Sequence, residues 1–149
     1  MKKKKRPKVY LGAGLLVLVR LPGNRLFVLL GKRKYRPFSG TWTFPGGAHE
    51  QRDLSLAHTA LREAKEEIKL TQLSTIEVDW LVPVFRCNLW HYRWITYGVT
   101  IECTELPQVG ILHEFSELTW FPVNQLPDPL HWGVGRAVRR AIKQAIRMQ

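Results

Sequence analysis

The sequence predicts an α/β protein in which a mixed β-sheet lies between helices, an α/β/α sandwich. Apolar, β-branched runs and two amphipathic helical segments follow one another in the order strands, helix, strands, helix. The connections between them are short, and the sequence shows no repeat or low-complexity segment. With 149 residues and 45% hydrophobic content, the chain suits one domain with one core.

The positive charge of the chain is concentrated at its N-terminus. The net charge is +11, and Lys2 to Lys5, Arg6 and Lys8 all fall in the first eight residues. We therefore divide the chain into a basic tail, residues 1–8, and a single domain, residues 9–149. The tail is expected to be a solvated chain end, with a phosphate- or nucleic-acid-binding arm as the alternative. The moderately basic domain suits a polyanionic small molecule such as a nucleotide polyphosphate, and also RNA.

The apolar run Val9–Val19 raises the question of a membrane or targeting segment. It is shorter than the roughly 20 residues of a membrane-spanning helix, and no small-x-small cleavage site follows it. We expect a buried strand, no membrane association and a cytoplasmic protein, with a signal peptide as the alternative. Cys87 and Cys103 are too few for a disulfide framework and are expected to stay reduced.

Periodicity and turn residues predict the individual elements. Val9–Arg20 and Arg25–Gly31 are predicted to form a hairpin around a Pro-Gly-Asn turn. The first helix is predicted over Leu54–Ile68 with Asp53 as its N-cap, and the second over Val134–Met148. The other predicted elements are the strands Thr41–Phe44, Ile76–Leu89, Trp90–Cys103 and Thr119–Pro122, and a loop over Leu106–His113.

The first predicted helix carries three carboxylates on one face. At about 100° per residue, Glu63, Glu66 and Glu67 lie on one side, and the apolar residues lie on the other. Like charges at this spacing repel each other by roughly a few tenths of a kcal/mol per pair. A divalent cation would offset that repulsion, and oxygen ligands are those that Mg²⁺ prefers.

Two further groups of side chains have both a structural and a functional interpretation. Arg33 and Arg36 precede the strand that leads into the first helix, where they would bind phosphate or be solvated. Trp90, Tyr92 and Trp94 alternate along a predicted strand and therefore share one face. We expect them, and Trp42, to belong to the core; a surface that stacks on a base is the alternative for the three and for Trp42.

The carboxylate segment resembles the Nudix box of the Nudix hydrolases. The family pattern is Gly-x5-Glu-x7-Arg-Glu-apolar-x-Glu-Glu-x-Gly-apolar, and residues 62–68, Arg-Glu-Ala-Lys-Glu-Glu-Ile, match its core. Residues 41–47, Thr-Trp-Thr-Phe-Pro-Gly-Gly, resemble the strand and turn that lead into the box. Together with the order of strands, the likeness covers most of the predicted domain.

The resemblance implies a Nudix-like α/β/α sandwich and a pyrophosphohydrolase activity that depends on Mg²⁺ or Mn²⁺. The bond to be cleaved is a phosphoanhydride in a nucleoside diphosphate derivative, and we expect a nucleotide such as a (d)NTP. The alternatives are a hydrolase of capped or 5′-phosphorylated RNA ends and a non-catalytic nucleotide- or RNA-binding module. Because relatives are often dimers, a homodimer is a further expectation.

The resemblance also implies roles for single residues. The implied metal ligands are Gly46, through its carbonyl, Glu63, Glu66 and Glu67. The implied catalytic residues are Arg62, Glu63 and Glu66, where Arg62 orients a carboxylate through a charge-assisted hydrogen bond. The predicted substrate-binding residues are Arg33, Arg36 and Glu50. The general base stays open among these glutamates and others on nearby loops, such as Glu114 and Glu117.

The sequence departs from the family pattern at two points. The distance from Gly47 to Arg62 is one residue longer, so the middle glutamate of the box falls on Asp53 or Leu54. Lys69 stands where the family has the glycine that ends the helix in a left-handed conformation. Either Lys69 adopts that unfavourable conformation or the helix ends in another way.

Overall fold

A computed structural model describes residues 8–148, so residues 1–7 of the predicted basic tail and the last residue lie outside the described part. The elements of the described part, in chain order, are β1 (Tyr10–Leu21), β2 (Arg25–Arg33), β3 (Trp42–Thr43), β4 (Gly46–Ala48), α1 (Leu56–Glu67), β5 (Ile68–Lys69), β6 (Val82–Leu89), β7 (Tyr92–Glu102), β8 (Gly110–Ile111), β9 (Phe115–Pro122) and α2 (Val134–Arg147).

A mixed sheet forms the middle layer, and its strand order is β3-β2-β1-β7-β6. β1 pairs in parallel with β7 along its length, and it pairs antiparallel with β2 and, nearer its start, with β4. β9 pairs with β2. The register of β1 and β7 places Tyr10 beside Tyr92 and Gly12 beside Trp94.

The two helices cover opposite faces of this sheet. Ala13, Leu15 and Val17 of β1 pack in the same cluster as the apolar face of α1, whereas Leu16 and Leu18 pack with α2. Residues two apart on a strand share a face, so the alternation means that β1 is buried on both sides. The predicted α/β/α sandwich with a mixed sheet is therefore confirmed, and Val9–Val19 contributes its central strand.

The first helix begins later than predicted. Its N-cap is Ser55, whose hydroxyl accepts a hydrogen bond from the amide of His58 at 3.2 Å. Asp53 does not cap the helix because its carboxylate is bound by Arg62. Leu54, which the predicted helix placed on the buried face, lies outside it and is 87% exposed.

The predicted strand Ile76–Leu89 is wrong in its first half. Val78–Trp80 forms a 3₁₀ helix, and β6 begins only at Val82. β6 is an edge strand whose register shifts between Pro83 and Phe85, as expected where a proline interrupts a ladder.

Three other predicted boundaries also need correction. Trp90 lies in the turn before β7, and the predicted loop Leu106–His113 contains β8, which pairs with β5. β9 begins at Phe115 rather than Thr119 because it pairs with β2 as far as Arg33. Among residues 8–148, no helix has the length and apolar character needed to cross a membrane.

Candidate active site

A cavity of about 640 Å³ receives side chains from the sheet, from both helices and from the loops that precede β3 and α2. Its acidic side, as we define it, consists of Gly46, Gly47, Glu63 and Glu67. Its aromatic side, defined in the same way, consists of Tyr10, Tyr92, Trp94, His131 and Trp132.

Glu63 and Glu67 form the chemical centre of the acidic side. They lie one helical turn apart on the same face of α1, and both side chains line the cavity. Glu67 is only 4% exposed and accepts a hydrogen bond from the amide of Gly46 at 3.1 Å. A Cβ atom on Gly47 would lie 2.5 Å from the carboxyl carbon of Glu63, so the glycine allows this carboxyl group to lie directly against the turn.

Burial raises the pKa of both carboxyl groups. For Glu63, the positive charge and the hydrogen bond of Arg62 oppose this effect. For Glu67, the bond from Gly46 opposes it, and the nearby charge of Glu114 adds to it. A divalent cation placed between two carboxyl groups that are largely removed from solvent would favour their charged forms.

Glu66 does not face the cavity. Its carboxylate is paired with Arg62 at 3.2 Å and with Arg52 at 3.3 Å, and its side chain is 47% exposed. The structure therefore brings together two of the three predicted carboxylate ligands. Within residues 8–148, no group of three or more His, Cys, Asp or Glu side chains is arranged so that it could hold a metal ion.

Arg62 connects the loop before α1 to the carboxylates of the helix. Its Nε and Nη2 atoms donate to Asp53 Oδ1 and Oδ2 at 2.8 and 2.9 Å, and Nη1 donates to Glu63 at 3.1 Å. Asp53 is buried and also accepts from the amide of Glu50 and the hydroxyl of Thr59. These bonds, those from Arg62 first, hold the pKa of Asp53 well below its usual range.

This pairing decides between the two possible positions of the middle carboxylate of the box. Asp53 occupies that position, because it binds Arg62 through two hydrogen bonds, whereas Leu54 is exposed to solvent. The extra residue of this chain consequently lies between Asp53 and Arg62. It leaves the relative positions of Arg62, Glu63 and Glu67 on the helix unchanged.

Helix α1 ends without a left-handed residue. Ile68 is extended, with φ −131° and ψ 150°, and Lys69 pairs with Gly110 in the small sheet of β5 and β8. The amides of Leu112 and His113 donate to the carbonyl of Glu67 at 2.8 and 3.1 Å. Strand pairing and these two bonds replace the glycine cap of the family pattern.

A further carboxylate, that of Glu114, lies at the cavity directly after the segment that binds the end of α1. Glu114 adopts the left-handed conformation with φ 70°. A left-handed conformation is uncommon for a residue other than glycine. Glu117, the other loop carboxylate singled out in the sequence, is an exposed residue of β9 outside the lining.

Of the three predicted substrate-binding residues, two line the cavity and one does not. Arg33 and Arg36 line the cavity, and the buried Nε of Arg33 has no hydrogen-bond partner in the described part of the chain. Glu50 lies outside the lining, where it is paired with Arg52 at 2.6 Å and is near Arg62 at 3.5 Å.

The aromatic residues singled out in the sequence have different positions. Trp42 is buried as expected, but the expectation of a core position is wrong for Trp90, which is 85% exposed, and for Tyr92, which is 38% exposed. Trp94 packs against the core on the side of α2, as expected, and it also lines the cavity together with Tyr92 and Tyr10. The alternation of Tyr92 and Trp94 indicated a shared face; the parallel register with β1, which adds Tyr10, has no local signal.

Comparison with known proteins agrees with this fold. The NUDIX domain family matches residues 11–141, and the chain belongs to the Nudix family. It is 31% identical over 133 residues to Mycobacterium tuberculosis proteins named "Putative 8-oxo-dGTP diphosphatase 3", a match that covers 88% of this chain and 61% of theirs. The chain thus spans about three fifths of the length of these curated relatives.

Two solved structures show the same fold at lower sequence identity. The Nudix hydrolase RenU of Mycobacterium smegmatis matches with a TM-score of 0.67 and 24% identity, over 94% of this chain and 88% of RenU. The NUDIX domain of Shewanella oneidensis NrtR, complexed with ADP ribose, matches with a TM-score of 0.66 and 21% identity, over 95% and 90% of the two chains.

Proposed function

We propose that this chain is a divalent-metal-dependent pyrophosphohydrolase that cleaves a phosphoanhydride bond in a nucleoside diphosphate derivative such as a (d)NTP. The observation that supports it most is that the carboxyl groups of Glu63 and the buried Glu67 line the same cavity as Arg33 and Arg36. A cavity with cationic groups and a carboxylate pair suits a phosphate chain, provided that a cation lies between the phosphates and the carboxylates.

Nudix hydrolases generally need divalent metal ions, and we propose Mg²⁺ or Mn²⁺ for this chain. Glu63 and Glu67 would hold the ion together with the carbonyl of Gly46. Glu66 would join them only by leaving its pairs with Arg62 and Arg52. The bound ion would supply neutralisation of the phosphate oxygens and activation of water.

The remaining residues have roles that follow from their contacts. Arg62 holds Glu63 and Glu66 in place, and Arg33 and Arg36 would bind phosphate oxygens through charge-assisted bonds. Glu50 would contact substrate only at the border of the site, beside Arg62. Glu66 and Glu114 are candidates for the general base.

The names of similar proteins are compatible with a nucleotide substrate. The Mycobacterium tuberculosis relatives are named for a diphosphatase of 8-oxo-dGTP, and the NrtR domain was solved with ADP ribose. Both molecules are nucleoside diphosphate derivatives in the chemical sense. The base and the leaving group of this chain's own substrate are left to experiment.

A substrate panel tests the proposal directly. Phosphate or pyrophosphate release would be measured from nucleoside triphosphates, nucleoside diphosphate sugars and ADP ribose with Mg²⁺ and with Mn²⁺. Hydrolysis that is lost in Glu67→Gln and retained in Glu77→Gln, an exposed glutamate outside the cavity, supports the proposal. Unchanged hydrolysis in Glu66→Gln and Glu67→Gln would show that the site is misassigned.

A non-catalytic nucleotide-binding module is the second candidate. The observation that favours it is the position of Glu66, which is held by two arginines away from the carboxylate pair. Calorimetric binding of nucleotide, with no product after long incubation with either metal, would support this candidate over the hydrolase.

We also propose a cytoplasmic location, where Cys87 and Cys103, both free thiols, would stay reduced. Cell fractionation tests this location, and light scattering distinguishes a monomer from the expected homodimer. Action on RNA ends would require a steep fall of RNA affinity with salt and its loss when residues 1–8 are deleted.

A further inference from the structure

Helix α2 carries positive charge along its exposed face, in a row of side chains that we call the basic stripe: Arg136, Arg139, Arg140, Lys143 and Arg147. At about 100° per residue, the stripe falls within an arc of about 100°, opposite the buried residues of the helix. At a rise of about 1.5 Å per residue, it is about 16 Å long. All of its side chains are exposed, and that of Arg140 also donates to the carbonyl of Val84 at 3.5 Å.

The charge of the stripe is not neutralised within the described part of the chain. The sequence of α2 contains no Asp or Glu. The ion pairs among residues 8–148 use Arg20, His49, Arg52 and Arg62 as their cations, so none of these pairs includes the stripe. Cations three and four residues apart repel one another, and Arg136 lies in the first turn, where the helix dipole disfavours positive charge. A polyanion bound along the stripe would remove this repulsion.

The residue types of the exposed face favour a nucleic-acid duplex over a single strand. All cations of the stripe except Lys143 are arginines, whose planar guanidinium groups match the geometry of phosphate. Proteins that bind single strands combine positive charge with aromatic rings on which the bases stack, and α2 contains no aromatic residue. A duplex keeps its bases stacked inside and presents phosphates outside, which is the chemistry that the stripe can contact.

The surroundings of the stripe distinguish among the polyanions that remain. An amphipathic helix binds a lipid surface through its apolar face, but the apolar face of α2 is buried against the sheet. The major groove of B-form DNA is about 12 Å wide and admits a helix, whereas that of an RNA duplex is deep and narrow. The exposed half of α2 therefore suits double-stranded DNA.

We propose that the basic stripe of α2 is a docking surface for the phosphate backbone of double-stranded DNA. Binding would not depend on base sequence, because contacts to phosphate carry no sequence information. The inference does not rest on the proposed function of the cavity. Val134, at the start of α2, lines that cavity, whereas the residues of the stripe do not.

The test removes two central cations of the stripe in the full-length chain, as the double variant Arg139→Gln and Lys143→Gln. Fluorescence anisotropy would measure binding of a short labelled DNA duplex over a series of salt concentrations. We expect the affinity at low salt to fall about tenfold, and the slope of log affinity against log salt to decrease by about two. Glutamine is a good helix former and removes like-charge pairs, so the melting temperature should not fall.

A matched control removes the same net charge elsewhere. The double variant Arg25→Gln and Lys65→Gln changes exposed positions of β2 and of α1, and α1 covers the opposite face of the sheet. Its DNA affinity should change less than about twofold. All of the proteins keep residues 1–8, so the basic tail contributes equally to each measurement. Both double variants should hydrolyse nucleotides as the wild type does, so the proposed function is judged separately.

Equal loss of DNA affinity in the two double variants would overturn the docking surface, because net charge alone would then account for binding. The same conclusion would follow if the wild type bound no DNA duplex at low salt. Tighter binding to single-stranded DNA, to an RNA duplex or to phosphatidylglycerol vesicles than to the DNA duplex would also overturn it. A loss confined to the stripe variant, with the DNA duplex as the tightest ligand, supports the proposal.

Discussion

The acidic side and the aromatic side of the cavity are assembled in different ways. The acidic side comes from one continuous stretch, residues 46–67, in which a glycine turn, a loop and a helix follow one another. The aromatic side is collected from β1, from β7 and from the loop before α2. The acidic side therefore depends on local spacing, whereas the aromatic side depends on which strands pair and in which register.

The two sides also differ in how many hydrogen bonds their polar side chains make. Next to the acidic side, Asp53 and Arg62 are held by several hydrogen bonds each, and within it Glu67 accepts a hydrogen bond from the amide of Gly46. On the aromatic side, the rings of Tyr10, Tyr92 and Trp94 contact one another, and elsewhere in the cavity the Nε of Arg33 has no hydrogen-bond partner in the described part of the chain. We infer that the acidic side holds the reacting groups in fixed positions and that the rest of the cavity binds the other parts of the substrate.

The largest expected effect is that of Glu67→Gln. The substitution keeps the shape of the side chain but removes a carboxylate that we propose as a cation ligand, so the proposed hydrolysis should fall about 100-fold or more. Because burial raises the pKa of Glu67, a neutral amide should leave the metal-free protein equally stable or more stable. Activity assays and metal-free thermal unfolding check both parts. A stability loss that parallels the activity loss would mean that Glu67 acts mainly in folding.

The second-largest effect is expected at Asp53, whose carboxylate binds Arg62 next to the acidic side. Asp53→Asn leaves Arg62 without its buried carboxylate partner and should cost about 3 kcal/mol of stability at pH 7. The pKa of Asp53 is lowered in the folded state, so its contribution is complete above the usual carboxyl pKa of about 4. It is lost as the pH falls below that value.

Urea unfolding of wild type and Asp53→Asn from pH 7 to pH 2 measures this prediction. The difference in unfolding free energy should be constant down to about pH 5 and then decrease in acid. Asp79→Asn, at an exposed position of the 3₁₀ helix before β6, is the control. A difference that stays constant into acid would show that Asp53 contributes through shape rather than charge.

A smaller effect, on KM, is expected at Arg33, which lines the same cavity as the carboxylates. Arg33→Met removes a guanidinium that would bind phosphate, and KM for nucleotides should rise about tenfold while kcat changes little. Stability should not fall, because the Nε of Arg33 has no partner to lose. Lys34→Met, at the exposed neighbouring position, is the matched control. A large fall in kcat for Arg33→Met would place this residue with the catalytic groups instead.

The smallest effect is expected at Lys69. Lys69→Gly restores the residue of the family pattern, but the helix already ends in extended Ile68 and the pairing of β5 with β8. Glycine in a strand should cost about 0.5–1 kcal/mol of stability and leave kcat and KM unchanged. A gain in activity would show that the strand pairing at the end of α1 disturbs the site.

The acidic side could be predicted from sequence because helical spacing is a local property. The positions of Glu63 and Glu67, the role of Arg62 and the glycine turn all follow from residues close together in the chain. Glu66 departed from the expected cation site because Arg52, in the loop before the helix, binds it. That contact depends on the geometry of the loop that carries Arg52, which helical spacing does not determine.

The aromatic side could be predicted only in part, for the opposite reason. The alternation of Tyr92 and Trp94 indicates one shared face but not whether that face is covered by a helix, so a core position and a stacking wall both stayed open. Tyr10 could not be associated with them until the parallel pairing of β1 and β7 was known. The glycines of β1 make room for the ring of Trp94, which becomes visible only in the structure.

Binding of Mn²⁺ tests the central claim most directly, because it does not depend on knowing the substrate. Electron paramagnetic resonance would measure free Mn²⁺ during titration of the wild type, of Glu67→Gln and of Glu77→Gln. The account predicts a Mn²⁺ site that is present in the wild type and in Glu77→Gln and is weakened at least tenfold in Glu67→Gln. Equal Mn²⁺ affinity in all three proteins would contradict it.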